Sequence, residues 1–240
     1  MSHRRASPLL GLVSLLVVAA LVLSGCGGSS DKKAAKKEAT PTQVMTAAKK
    51  KFDDASSVHI ALSTKSTPSA GNGVLGATGD ITHDPAFAGD VKVVLGGLTA
   101  TVPITSVGGK VYAKLPLQTK YSVIKPDEYG APDPADFADP DKGLSSLLTE
   151  IDGLKKGDRK RDGDDILTSY SGKLPGKAVK AIIPSADTGS TYDTTVGIDD
   201  SGHATKVGIT GPFFADDKDV TYSVTFSQYD KGVKISTPSS

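Results

Sequence analysis

The chain has 240 residues, of which 28 are basic and 27 acidic, with one cysteine and no tryptophan. That near balance excludes the basic face on which nucleic-acid binding depends, and a single thiol excludes an internal disulfide. Only 5% of the residues are aromatic, so any core must be built chiefly from Val, Ile, Leu and Ala.

The N-terminus reads as a secretory signal. Arg4 and Arg5 precede an apolar block, Leu9 to Leu23, of 15 residues. That is shorter than the ~20 residues a membrane-spanning helix needs. Ala6, Ser7 and Pro8 continue the arginine pair poorly for a twin-arginine signal, which favours the general secretory type. The block ends in Leu23-Ser24-Gly25-Cys26, which resembles the lipobox of bacterial lipoproteins. Small residues before the cysteine admit the extended chain to a signal peptidase, and the Cys26 thiol accepts a diacylglyceryl group. Several acyl chains, at roughly 0.8 kcal/mol per buried methylene, then hold Cys26 at a membrane surface.

This divides the chain into a signal peptide (1–25), a lipidated flexible tether (26–40) and a single domain (41–240). The tether carries Lys32, Lys33, Lys36 and Lys37 against Asp31 and Glu38, and such lysines also suit anionic headgroups. The expected location is the extracytoplasmic face of the cytoplasmic membrane, with Cys26 as the anchor.

Within the domain, Val44, Ala47, Ala48 and Phe52 recur at helical spacing and predict a helix from Thr42 to Ala55, with Thr42 as its N-cap. Alternation of period two then predicts strands. Val58, Ile60 and Leu62 share one face, as do Phe87, Val91, Val93 and Leu95. Leu98, Ala100, Val102 and Ile104 follow, then Val111, Ala113 and Leu115, with Gly96-Gly97 and Gly108-Gly109 as hairpin turns. In ADPDKGLSSLLTEIDGL, Asp139 as cap, Pro140 at the first position and Gly153 as terminator predict a second helix. It would present Leu144, Leu147, Leu148 and Ile151 on one face. After one strand comes a short third helix with Val179, Ile182 and Ile183, stopped by Pro184. Strands return at Tyr192–Ile198, Thr205–Ile209 and Val220–Phe226. The fold class is α+β, a large curved antiparallel sheet with helices on one face.

Chemistry finds little footing in these residues. The domain has His59, His83 and His203 but no GxSxG elbow, HExxH helix, Walker loop or GxGxxG. The acidic clusters Asp162-Gly163-Asp164-Asp165 and Asp133, Asp136, Asp139, Asp141 lack the full spacing of a calcium loop and read as turn and cap residues. No cofactor and no metal is expected, and the chain reads as a non-enzyme. A sheet curved over helices and lined by small apolar residues can leave unfilled volume, into which an acyl chain gains about 25 cal/mol per Å² on leaving water.

The order of several short blocks resembles the LppX/LprAFG family of actinobacterial cell-envelope lipoproteins. They are the lipobox, Ser57-Val58-His59, Gly79-Asp80-Ile81, Gly109-Lys110-Val111-Tyr112-Ala113 and Asp139-Pro140-Asp141-Lys142-Gly143-Leu144. Ser171-Gly172-Lys173-Leu174-Pro175, Thr195-Val196-Gly197-Ile198-Asp199 and Phe226-Ser227-Gln228-Tyr229 continue the likeness. The resemblance implies a half-open antiparallel sheet with helices on its concave side, enclosing an apolar cavity. It implies carriage of acylated lipids or glycolipids across the cell envelope, with a membrane efflux transporter as partner for some members. Where the family places tryptophan, this chain has Gly197 and Tyr229, so local packing is expected to differ.

Two readings follow. In the first, the chain is a lipid carrier whose cavity is walled by Val91, Val93, Leu95, Val102 and Ile104 from the sheet. Leu144, Leu147, Leu148, Ile151, Val179, Ile182 and Ile183 would complete it from the helices. In the second, it is a non-enzymatic protein-interaction module whose core is filled. An esterase ranks behind both, because no nucleophile–base pair is legible.

Overall fold

The computed structural model describes residues 38–68, 72–214 and 218–239, with the side chain of Leu95 excepted. The expected signal peptide, Cys26 and most of the expected tether lie outside them. Residues Ala39–Ser240 form one unit.

The first helix, α1 (Pro41–Asp54), is capped two residues earlier than the hydrophobic spacing predicts. Thr40, not Thr42, is the N-cap. The Gln43 amide donates to Thr40 Oγ1 at 3.3 Å and the Thr40 amide donates to Gln43 Oε1 at 2.9 Å. Pro41 then fills the first helical position, where a missing N–H costs nothing. Met45, Ala48 and Phe52 form the buried stripe.

Among the described residues, eleven antiparallel strands make one open sheet. The first six are β1 (Ser57–Thr64), β2 (Gly73–Thr82), β3 (Ala86–Leu95), β4 (Leu98–Val107), β5 (Lys110–Ala113) and β6 (Ser122–Ile124). The last five are β7 (Asp152–Asp162), β8 (Asp165–Pro175), β9 (Thr191–Ile198), β10 (Ala204–Gly211) and β11 (Val220–Ser227). Each set is a meander of sequential neighbours. The order is β6-β5-β4-β3-β2-β1-β11-β10-β9-β8-β7, so the two meanders join where β1 pairs with β11, His59 opposite Ser227 and Thr64 opposite Tyr222. The short helix α2 (Gly176–Ile182) links β8 to β9. No helix among the described residues is long and apolar enough to cross a membrane.

Both helices pack into one hydrophobic cluster with the inward residues of the strands, which puts them on the same face of the sheet. Alternation is clearest in β9 and β11, where Tyr192, Thr194, Val196 and Ile198, and Val220, Tyr222, Val224 and Phe226, are buried in turn.

Two predicted features are corrected. Residues 139–153 form no α-helix. The Asp139 carboxylate accepts from the amides of Asp141 and Lys142, closing one turn. Gly143 then sits so close to the carbonyls of Asp136, Phe137 and Asp139 that a Cβ could not fit. Leu147 and Leu148 are carried instead by a 3-10 turn, Ser146–Thr149, and Gly153 belongs to β7. The region after it holds two strands rather than one, because β7 and β8 form a hairpin. The segment between β6 and β7 thus crosses the concave side from one sheet edge to the other. Lys49 of α1 fastens it, donating to Asp53 Oδ2 at 2.6 Å and to the Pro140 carbonyl at 2.6 Å, while Ser145 Oγ donates to Asp53 Oδ1.

Two local devices shape the first meander. Gly79 and Gly89 face each other across β2 and β3, where a Cβ on either would strike the opposite backbone and the ring of Phe87. The fully buried Phe87 ring occupies that space. A bulge between Val74 and Gly76 shifts the β2–β3 register, and the Val74 carbonyl accepts a 2.6 Å hydrogen bond from Tyr222 Oη of β11. Burial pushes the Tyr222 phenol up to about 12, and burial beside Asp199 raises Tyr229 as well.

Phe87→Ala should cost about 3–5 kcal/mol, read as a lower urea midpoint, because no neighbouring Cβ can move into the space over the two glycines. Alkali gives a second test. The folded chain holds the Tyr222 and Tyr229 protons more tightly than the unfolded chain, whose tyrosines titrate near ~10. That stabilisation is complete below pH ~10 and is lost as pH rises toward about 12. Urea midpoints should fall through this window, and Tyr222→Phe should flatten the fall.

Candidate functional site

The sheet's two halves are filled differently. On the β9–β11 side the rings of Tyr192, Phe213 and Tyr222 stack in series at 4.8 and 4.6 Å between centroids. Phe52 of α1 meets Phe226 edge-on at 5.3 Å. On the β2–β4 side the inward residues are short, and Val74, Ala77, Val91, Val93, Val102 and Ile104 leave a cavity of about 360 Å³. The bulge in β2 is what turns both Val74 and Ala77, three residues apart, toward it.

The other walls come from three places. Leu62 of β1, Val111 of β5 and Ile124 of β6 extend the sheet wall. The crossover roofs it with Pro126, Tyr129, Pro132, Pro134 and Phe137. The end of α2 and the chain after it close the third side with Ile182, Pro184 and Ser185. The roof is pinned to β4 by the buried Ser106, whose Oγ donates to Asp133 Oδ1 at 2.5 Å. Asp133 Oδ1 also accepts from the Ala135 amide at 2.9 Å, holding the 3-10 turn Pro134–Ala138.

The lining is almost wholly apolar. One exception is Ser185, whose Oγ is buried and makes no hydrogen bond. It faces Tyr222, whose phenol is raised chiefly by burial and is partly held down by the neighbouring Ser185 hydroxyl. A buried unpaired hydroxyl costs free energy that a ligand's polar atom could recover.

Of the residues singled out from sequence, Val91, Val93, Val102, Ile104 and Ile182 line the cavity. Leu144, Leu147, Leu148, Ile151, Val179 and Ile183 belong to the packed cluster. For Leu144, Leu147, Leu148 and Ile151 the reason is the missing helix: the turn lays them against α1 rather than over β2–β4. The Leu95 side chain lies outside the described residues. The roof prolines, Tyr129 and Phe137 escaped the sequence reading, since an irregular segment has no period to betray its inward face. A filled core does not describe this half of the molecule.

Among the described residues two histidine–carboxylate pairs have chemical overtones, and in one of them, His203 Nδ1 and Asp199 Oδ2 at 3.4 Å, the ring packs on Tyr229. The other is tighter. His59 Nδ1 lies 2.8 Å from Asp80 Oδ1, and His59 Nε2 lies 3.4 Å from Thr78 Oγ1. It stands on the sheet face opposite the cavity, since the neighbouring Ile60 and Gly79 point inward. β1 and β2 are each paired on both sides, so their amides serve the ladders rather than an oxyanion hole. Among the described residues, no group of three or more His, Cys, Asp and Glu side chains is placed to hold a metal ion.

Comparison with known proteins agrees with this geometry. The chain is 26% identical over 240 residues to the lipoarabinomannan carrier protein LprG of Mycolicibacterium hassiacum, covering 96% of this chain and 97% of that one. It is 29% identical over 208 residues to the protein of the same name from Mycobacterium tuberculosis H37Rv, covering 83% of each. In fold it matches LprF from Mycobacterium bovis with a TM-score of 0.70 at 18% identity, over 83% of this chain and 97% of that one. LppX from Mycobacterium tuberculosis follows with a TM-score of 0.58 at 19% identity, over 82% and 98%. The family model of the LppX_LprAFG lipoproteins matches residues 40–235, and the chain belongs to that family.

Proposed function

We propose that this chain is a non-enzymatic lipid carrier, anchored through Cys26 on the extracytoplasmic face of the cytoplasmic membrane. Its cargo is an acylated lipid or glycolipid, which it moves across the cell envelope. The observation that carries this reading is the apolar cavity of about 360 Å³ between β2–β4 and the crossover. Relatives named as lipoarabinomannan carriers support the same class of cargo.

The lining determines which part of such a molecule enters. Each unpaired polar group taken into an apolar site costs several kcal/mol, about 2–7 depending on reference, and within the described lining Ser185 offers a buried hydroxyl to answer it. Acyl chains therefore enter and sugars stay outside. The volume lies near the small end of the ~300–1,000 Å³ range for small-molecule pockets. It accommodates part of a multiply acylated lipid, and a larger cargo requires the crossover to move outward from β2–β4. Val91, Val93, Val102, Ile104 and Ile182 supply the contacts, while the Leu144–Ile151 turn and Val179 hold the walls in place. A membrane efflux transporter is the expected partner where cargo must be handed on.

Protein purified from a lipid-containing host, extracted with organic solvent and analysed by mass spectrometry, should yield stoichiometric acylated lipid. Val93→Trp and Val102→Trp, each introducing a ring into the cavity, should fold and yield little or none. Folded wild-type protein that carries no such lipid would defeat the proposal. Ser185→Ala should weaken retention of an ester-bearing lipid by about fivefold, the equivalent of one modest hydrogen bond, and leave a pure hydrocarbon unaffected.

A further inference from the structure

The end of the sheet where β3 turns into β4 differs in character from the rest of the surface. Leu98, at the tip of that hairpin, is 76% exposed, and Leu117, in the β5–β6 loop, is fully exposed. Isolated exposed leucines are ordinary, but these two are presented by special backbone. The hairpin turns on Gly96 and Gly97 with φ of +56° and +83°, and Leu117 itself holds φ at +69°. A branched non-glycine residue in that region is strained, and here the strain turns its side chain outward rather than into a core. The two tips share one end of the sheet. The Lys114 amide donates to the Pro103 carbonyl, so residues 114–117 run back along β4 toward Leu98.

Charge sets this end apart as well. From Val91 to Pro126 the sequence has five lysines and no acidic residue, and from Leu62 to Gly79 it has Lys65 and no acidic residue. Lys65, Lys92, Lys114 and Lys120 lie toward the tips, and the ion pairs among the described residues use none of them. The acidic groups described at the same end, Asp152, Asp187, Asp193 and Asp219, all lie in the other meander and its loops, where Asp193 pairs with Lys173. The cavity wall reaches this end too, through Asn72, Gly73, Val94 and Leu115. Exposed apolar tips ringed by unpaired lysines suit a surface that is apolar inside and anionic outside.

We propose that the β3–β4 hairpin and the β5–β6 loop form a docking rim for an anionic lipid bilayer, with Leu98 and Leu117 inserted below the headgroups and Lys65, Lys92, Lys114 and Lys120 among them. The rim brings the near end of the cavity to the membrane surface. This goes beyond the carrier reading, and bilayer contact by the rim requires no cargo in the cavity.

The test uses the full chain with Cys26→Ser and one introduced thiol carrying an environment-sensitive dye. The thiol is placed at Thr119→Cys beside the rim, or at Asp164→Cys on the β7–β8 hairpin at the opposite end. Vesicles contain phosphatidylcholine alone or with phosphatidylglycerol. Whatever the N-terminus adds to overall binding, each dye reports its own surroundings. The Thr119 dye should shift to the blue and be quenched by spin-labelled lipid on anionic vesicles only, while the Asp164 dye stays in water. Leu98→Ser with Leu117→Ser should abolish the shift. Lys114→Gln with Lys120→Gln should raise the anionic-lipid requirement by about fivefold per lysine. An unshifted Thr119 dye on vesicle-bound protein, an equal shift at both positions, or an equal response to uncharged vesicles would overturn the proposal. Because the vesicles offer no extractable cargo assay, failure here leaves the mass-spectrometric test of the carrier reading standing on its own.

Discussion

The pairing of β1 with β11 is the constraint on which the rest depends. Each meander is an ordinary run of neighbouring strands with its own edges. Joined through six paired positions, from His59–Ser227 to Thr64–Tyr222, they become one sheet with one continuous concave face. The ladder closes a loop of most of the domain, which is entropically costly to form first. It is also where α1 enters and the C-terminal residues leave. The Asp230 amide donates to the Ser57 carbonyl and its carboxylate accepts from the Ser56 amide at 2.7 Å, so side-chain and backbone bonds lock the same corner.

A continuous face need not be evenly filled, and the distribution of large side chains decides where it is not. α1, α2 and the aromatic residues of β9–β11 satisfy one half. The β2–β4 half has Val, Ala and Gly inside, and its only large buried ring, Phe87, is spent covering the Gly79–Gly89 pair. No disulfide is available to tighten that half. Closure comes from the crossover, held by Asp133 at one end and by the Lys49–Asp53–Ser145 cluster at the other. The cavity is thus a consequence of composition: a sheet this wide, with so few aromatic residues, has too little side-chain volume to fill both halves.

Legibility of the sequence followed the same division. Strands with one buried and one solvated face, such as β1, β3 and β11, announce themselves by alternation. β7 does not, because its KKGDRKRD stretch is exposed on both faces as an edge strand, a common guard against unwanted pairing. β2 is obscured by its bulge and glycines. The 139–153 segment misled because its leucines keep a spacing of three and four that 3-10 turns also provide, while the Gly143 crowding that forbids a helix is a tertiary fact. Half of the site came from strand parity, and the roof could not. At Gly197, Leu167 of β8 lies against the glycine on the outer face. Tyr229 donates to the Ala204 carbonyl at 2.6 Å and meets Phe52 edge-on.

On the carrier reading, the energetics of exchange follow from the lining. An acyl chain in water pays roughly 0.8 kcal/mol per methylene, but a bilayer interior and this cavity are both apolar. Moving the chain between them changes its hydrophobic free energy little, provided water is avoided on the way. Direction and selectivity then rest on small terms: the Ser185 hydroxyl, the fit under the roof prolines, and strain in the crossover as it admits bulk. A cavity with many polar partners would bind one lipid tightly and release it slowly. A nearly featureless one exchanges readily, which suits a molecule that must both take up its cargo and give it away.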